Sequence, residues 1–525
     1  MSSTFAFADW LVIAAYVGIL FIGGWYFTPK STETSQEYFL AGNSIPAWLA
    51  AVSVLSATQS AATFLGGPDY GYRGDYTYLG TSLGGLIGAV FVAKVLIPRF
   101  YALKATTVYE LLSRRFSPAA MRWAGGMFLV GRVLAGGARV YLAAIAVAMV
   151  VTFDVSAPSI VAAAALVVAA SFLFTFVGGL RSVLWNDLIQ FVIFVSAALG
   201  VLIYLRSSIP VSTTELFEAL ANTPEGTSKL RLFDLSTDPS KPFTLIAIVT
   251  GVMLLFVANS GLDQDTTQRL LACKDARTGA RGLYMSVLAS IPVVGLFVTI
   301  GVLLYVFYQR PDLMGGDVAS VRGEFSGEKI SIFMHYILTE LPPGLRGLVT
   351  AGVMAAAVAT TNSALNAMSS VVVEDFYRPW RERTTVMPER HYVVAGRIGM
   401  GVIGVAMFLM AVLSYYWQRT LDMPLLEFAL QVMVFAYAGL LGVYFTAIFT
   451  DRGSTGSVIA ALLLGFLTVL LLQPAIATAI GLPEILARLS FPYQLCIGTF
   501  VSTLVCALPG RTVAPVPANA VQAAK

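Results

Sequence analysis

The sequence predicts an all-α polytopic membrane protein with about thirteen transmembrane helices, and three observations carry this. Of 525 residues, 57% are hydrophobic and only 12% charged, whereas soluble domains average about 25% charged; the mean hydropathy is +0.78. Apolar runs that meet the ~20-residue requirement for crossing a bilayer recur along the whole chain. The longest polar stretches, 206–242, 310–330 and 378–391, are loop-sized, so no second soluble domain is expected.

In order, the apolar spans are 8–28, 46–72, 75–102, 119–151, 157–178, 183–207, 243–272, 277–309, 344–377, 390–418, 422–450, 454–474 and 488–508. The sequence starts MSSTFAFADW, with no basic stretch before the first span, so no cleaved leader is expected. The second is long and irregular because polar residues interrupt it. Spans two to six and seven to eleven make two blocks of five, 46–207 and 243–450, joined by an external loop at 208–242. An odd number of spans per block gives the blocks opposite orientations, the logic of inverted repeats in secondary transporters. Residues 1–45 then hold a first helix and a cytoplasmic loop, and 451–525 hold two C-terminal helices and a tail expected to be disordered. Segment SGEKISIFMHYILTE, 326–340, alternates polar and apolar residues at helical spacing and reads as an interfacial helix, with partial burial against the bundle as the plainer alternative.

The charges orient the chain. Lys104, Arg114, Arg115 and Arg122 follow span three, Arg181 follows span five, and Lys274, Arg277 and Arg281 follow span seven. Arg378, Arg381, Arg383, Arg390 and Arg397 follow span nine, while the alternate short connections are poor in bases. The positive-inside rule puts the N-terminus outside and the C-terminus in the cytoplasm of a plasma (inner) membrane protein. Cys273, Cys496 and Cys506 are scattered, so neither a disulfide nor a transition-metal site is expected. The histidines, His335 and His391, sit at loop edges and form no catalytic cluster, so the chain is not expected to be an enzyme.

Four polar stretches break the spans: TQS at 58–60, WND at 185–187, ANSGLDQD at 258–265 and ATTNSALN at 359–366. The first lies in SVLSATQSAATFLGG, 53–67, which carries five hydroxyls and an amide. An unwound backbone in lipid needs partners, and a sodium ion, which takes oxygen ligands, is one. The plainer reading is that hydroxyls bond back to the preceding turn and pack helices closely; Gln59 argues against it, because a buried amide is hard to satisfy locally. Ala356, Ala359, Thr360, Ser363 and Asn366 fall at three- and four-residue steps and share a helical face. Asp187, in an apolar span, is a functional candidate that can ligate sodium, relay a proton or pair with a buried base. Arg132 and Arg139 are seven residues apart and share a face of span four. Either can clamp a carboxylate; the alternative is that they pair with Asp187 or cap carbonyls. Asp263, Gln264 and Asp265 are read as partners of Arg269 or other inner bases, with a gating ion pair as the sharper account.

At these residues the chain resembles the sodium:solute symporter family. The resemblance runs from about residue 8 to 450 and is carried by EYFLAGNSIP with SATQSAATFLG, by GGLRSVLWNDLIQ, by DQDTTQRLLACKD and by TTNSALNAMSSVVVEDFY. It implies a LeuT-like five-plus-five inverted repeat and sodium as the co-transported ion. By that resemblance the sodium site draws on the carbonyls of Ser56, Gln59 and Ala356 and the side chain of Thr360. Ala359 stands where the family often has serine, which removes one ligand. A second sodium site of some members maps to Asp187, Asn362 and Ser363, with Asn362 departing from their hydroxyl. Thr58, Ser60 and Thr63 match the polar trio of sialic-acid members; Ser82 stands where they carry glutamine. Their carboxylate-binding arginine falls near Ala135, with Arg132 and Arg139 one turn to either side. Sugar-transporting members have a lysine at the position of Ala289 and an aromatic gate near Asn259.

The expected function is sodium-coupled import of a small polar solute, a carboxylate such as sialic acid or another organic acid, by alternating access. The alternatives are a sugar, amino acid or anion symporter of the same family, or an uncoupled uniporter or channel-like carrier. The expected partners are the solute, Na+ and membrane lipid, without nucleic acid and with the protein acting as a monomer.

Overall fold

The computed structural model describes residues 5–27, 34–315 apart from 153, 155 and 225, 332–420 and 425–508. The predicted tail lies outside them, as does the 326–331 part of the predicted interfacial segment. The described residues are almost wholly helical. The opening helix is α1 (Phe7–Phe27). A bent pair follows, α2 (Ala47–Thr58) and α3 (Ala61–Arg73), then α4 (Thr77–Ala102) and α5 (Pro118–Val151). Helices α6 (Ala157–Leu173) and α7 (Gly179–Ser207) complete the first half. The chain turns between them at Gly179, where φ is +57° and an added Cβ would lie 2.6 Å from the Tyr38 carbonyl oxygen. Only glycine meets both conditions at low cost.

The second half opens with another bent pair, α8 (Leu245–Gly261) and α9 (Gln264–Leu271). It continues with α10 (Ala276–Gln309), α11 (Leu345–Arg381), α12 (Glu389–Arg419) and α13 (Leu426–Phe449). Helices α14 (Thr455–Leu471) and α15 (Phe491–Ala507) close the described chain. Among the described residues, seven helices are long and apolar enough to cross a membrane, or nine if each bent pair is one span, and four shorter apolar helices also fall on predicted spans.

Burial separates centre from rim. The most apolar stretch of α11 is 89% buried and that of α13 83%, against 33% for α7 and 44% for α12. Helices α11 and α13 therefore form the interior, and α7 and α12 offer apolar faces outward, as lipid contact requires. Asp9 fastens α1 to the start of α11: its Oδ1 accepts from the amides of Gly344 and Gly347, both at 2.8 Å, and its Oδ2 pairs with Arg346 at 3.0 Å. Helix Ile332–Thr339 buries Phe333, Met334, Tyr336, Ile337 and Leu338. For residues 332–339 this supports the plainer alternative, burial of the apolar side chains against the bundle.

Candidate functional site

The bend between α2 and α3 is 64°. Helix α2 stops where Thr58 Oγ1 donates back to the carbonyls of Val54 and Leu55, both at 3.0 Å, and where Gln59 takes an extended conformation (φ −81°, ψ 95°). Helix α3 restarts when the Ser60 carbonyl accepts from the amides of Thr63 (2.9 Å) and Phe64 (3.0 Å). Gln59 is buried, and its Oε1 has no hydrogen-bond partner among the described residues. A buried acceptor left so is costly unless a ligand or cation meets it.

Beside the bend lies a cavity of about 200 Å³. The bend contributes Thr58, Gln59 and Thr63, α4 contributes Thr81 and Ser82, α5 contributes Arg139, and α8 contributes Asn259. Apolar surface comes from Phe256, Leu430 and Met433 among others. Of the residues predicted to bind solute, Thr58, Thr63, Ser82, Arg139 and Asn259 meet here, while Ser60 is buried outside the lining. Two lining residues, Ser286 and Ser290 on α10, were not anticipated. A lone serine in an apolar helix reads as a packing residue; the signal available was their four-residue spacing on one face.

The two arginines of α5 part company. Arg139 reaches the cavity, with Nη2 3.3 Å from Met433 Sδ, and no carboxylate lies within ion-pair distance of it among the described residues. Arg132 is buried elsewhere. Its Nη1 is 3.2 Å from Asp263 Oδ2 and its Nη2 bonds Asp265 Oδ2. Its predicted role as a solute clamp is corrected: the 55° break between α8 and α9 sets two carboxylates against it, so both its terminal nitrogens are engaged.

That contact belongs to a larger buried cluster. Arg269 Nη1 is 2.7 Å from Asp265 Oδ1, its Nη2 is 3.3 Å from Asp187 Oδ2, and its Nε donates to Ser53 Oγ at 2.8 Å. Its Nη2 also donates to Ser363 Oγ, and Ser53 Oγ donates to Asp187 Oδ2. The Tyr437 hydroxyl donates to Asp263 Oδ2 at 2.5 Å. Asp187 thus has its base, but the base is Arg269, and neither Arg132 nor Arg139 serves.

The candidate sodium ligands divide. Ser56, Gln59 and Ala356 line one narrow cleft between the bend and α11, together with Gln190. Ala359 and Thr360 lie about a turn further along α11, buried and outside that lining. Thr360 Oγ1 donates to the carbonyls of Ala356 (3.0 Å) and Ala357 (3.2 Å). The polar residues of its lining are Ser56, Gln59 and Gln190, a hydroxyl and two amides, oxygen-bearing groups of the kind a hard monovalent cation takes as cargo. The residues of the second candidate site are engaged otherwise. Asp187 and Ser363 both hold Arg269, and the Asn362 amide nitrogen, oriented as its neighbours require, donates to the Ser171 carbonyl at 2.8 Å.

The comparisons with known proteins agree with this architecture. A solved Na+-coupled sialic acid symporter superposes with a TM-score of 0.78 at 22% identity, covering 96% of this chain and 98% of its own; that likeness is one of fold, the LeuT type. The sodium/sialic acid symporter SiaT of Proteus mirabilis is 26% identical over 473 residues, 89% of each chain. The human sodium-coupled monocarboxylate transporter 1 is 26% identical over 95% of this chain and 77% of its own. The sequence model of the sodium:solute symporter family matches residues 38–465. With that match across most of the chain, and a helix broken beside a polar cavity at its centre, the protein belongs to the sodium:solute symporter family and is a sodium-coupled membrane transporter.

Proposed function

We propose that the transported solute is a small carboxylate, such as sialic acid or another organic acid, imported by alternating access. Arg139 carries the reading: a guanidinium in the central cavity with no carboxylate partner among the described residues. A half-buried charge of this kind gains from a counter-ion, and a guanidinium is matched to a carboxylate in shape and hydrogen bonding. The relatives above, named for sialic acid and monocarboxylates, support the same class.

In this proposal sodium occupies the cleft of Ser56, Gln59 and Ala356, with Thr360 turning toward it. Bound sodium steadies the bend, whose other side forms the solute wall, so each ligand favours the other reciprocally. Blocks 46–207 and 243–450 act as the two inverted halves of a thirteen-span, monomeric carrier in the plasma membrane, with the N-terminus outside. The test is uptake into proteoliposomes of labelled sialic acid, a monocarboxylate, a neutral sugar and an amino acid, each under an inward sodium or potassium gradient. The expected result is accumulation of a carboxylate in sodium alone, reduced at least about ten-fold by Arg139→Gln. Sodium-driven accumulation of the neutral sugar that survives Arg139→Gln would overturn the proposal.

A further inference from the structure

A second concavity lies on the outer surface, away from the transport pathway. It is a groove of about 610 Å³ between α5 and α14, closed on one side by Phe376 of α11. Its lining is apolar except at one end. Trp123, Met127 and Val130 follow one another down α5 at three- and four-residue steps and face Leu463 and Phe466 of α14. Trp123, Val130 and Leu463 are each about half exposed in the protein alone. At the end nearest the start of α5 sits Arg122, the one charged residue of the lining. No carboxylate lies within ion-pair distance of it among the described residues. The nearby Asp375 turns inward, with Oδ1 2.7 Å from Thr107 Oγ1. The Ser117 and Thr455 hydroxyls, 2.7 Å apart, hold the starts of α5 and α14 together at the same end.

We infer that this groove is a binding site for an anionic phospholipid of the inner leaflet, with the headgroup phosphate on Arg122 and one acyl chain laid along α5. The dimensions agree. From Ala119 to Val130 the groove runs roughly 16 Å at the helical rise, and one leaflet of hydrocarbon is about 15 Å deep. The chemistry agrees as well. A guanidinium at the membrane surface matches a phosphate, an exposed tryptophan beside it suits the headgroup level, and the deeper wall offers only apolar surface. Charge complementarity singles out an anionic lipid over a zwitterionic one, whose choline would bring a like charge to the same end. The choice of leaflet rests on the orientation proposed above; the site itself does not depend on the transported solute.

The test is thermal unfolding of delipidated, detergent-purified protein with phosphatidylglycerol or phosphatidylcholine of identical chains added, alongside native mass spectrometry of retained lipid. The expected result is a higher apparent melting temperature with phosphatidylglycerol and retention of one such lipid at roughly five-fold preference. Arg122→Gln should abolish the preference and Arg122→Lys should keep most of it. Gly126→Leu should weaken both lipids, since a Cβ there meets only the Phe376 ring tip at 3.8 Å and the longer side chain fills the groove without disturbing the fold. Equal effects of the two lipids, a preference that survives Arg122→Gln, or reproduction of the shift by soluble glycerol 3-phosphate would each overturn the inference. None of these outcomes bears on the identity of the transported solute.

Discussion

The two broken helices differ in what their breaks carry. The α2–α3 bend is built from neutral groups, and it leaves the Gln59 amide oxygen without a hydrogen-bond partner among the described residues, beside a cavity. The α8–α9 bend carries Asp263 and Asp265; Arg132 of α5 holds both, and Arg269 of α9 itself also holds Asp265. Asp263 also caps α9, its Oδ1 accepting from the Asp265 amide at 2.9 Å. A break in a membrane helix releases polar groups that need partners. At one bend the protein supplies them and locks the joint; at the other, in the function proposed above, a ligand supplies them. On that proposal the pair of breaks divides into a binding site and a fastening.

That division can be tested from its most costly element downward. Arg269→Gln removes the base shared by Asp187 and Asp265, and should cost about 3–5 kcal/mol of stability, read as a large fall in thermal unfolding temperature or loss of folded protein. Wild-type stability would deny the fastening role. Arg139→Gln breaks no ion pair among the described residues, so its melting temperature should hold while carboxylate uptake falls roughly 10–100-fold; an unchanged uptake would take Arg139 out of the binding site.

Asp187→Asn should lower stability by about 1–3 kcal/mol yet leave the number of sodium ions per cycle unchanged, because Arg269 already holds that carboxylate. A drop in the sodium coefficient would return Asp187 to ion binding. Thr360→Ala should raise half-saturating sodium only about five-fold, since one neutral hydroxyl is lost. Unaltered sodium dependence would remove Thr360 from the site.

Much of this was legible in the sequence because lipid makes polarity informative. TQS at 58–60 and DQD at 263–265 stood out against apolar surroundings, and both mark observed bends. Arg132 and Arg139 could not be told apart, since they share one helical face and differ only in what comes to meet them. That partner is brought by the α8–α9 break, more than a hundred residues away in sequence. Ser286 and Ser290 went unseen for a related reason: a hydroxyl that bonds its own helix, as both do at 2.7–2.8 Å, leaves the same mark in sequence whether its free side faces a neighbour or a cavity.

The cluster around Arg269 bears on how such a carrier avoids leaking. Ser53 of α2, Arg132 of α5, Asp187 of α7, Asp265 of α9, Ser363 of α11 and Tyr437 of α13 are linked through one set of hydrogen bonds to charged groups. Moving any one of these helices by several ångströms breaks such bonds, so a motion that opens this cluster is favoured when several of them move together. A seal built this way would open as a whole, with few partly open states through which ions could slip.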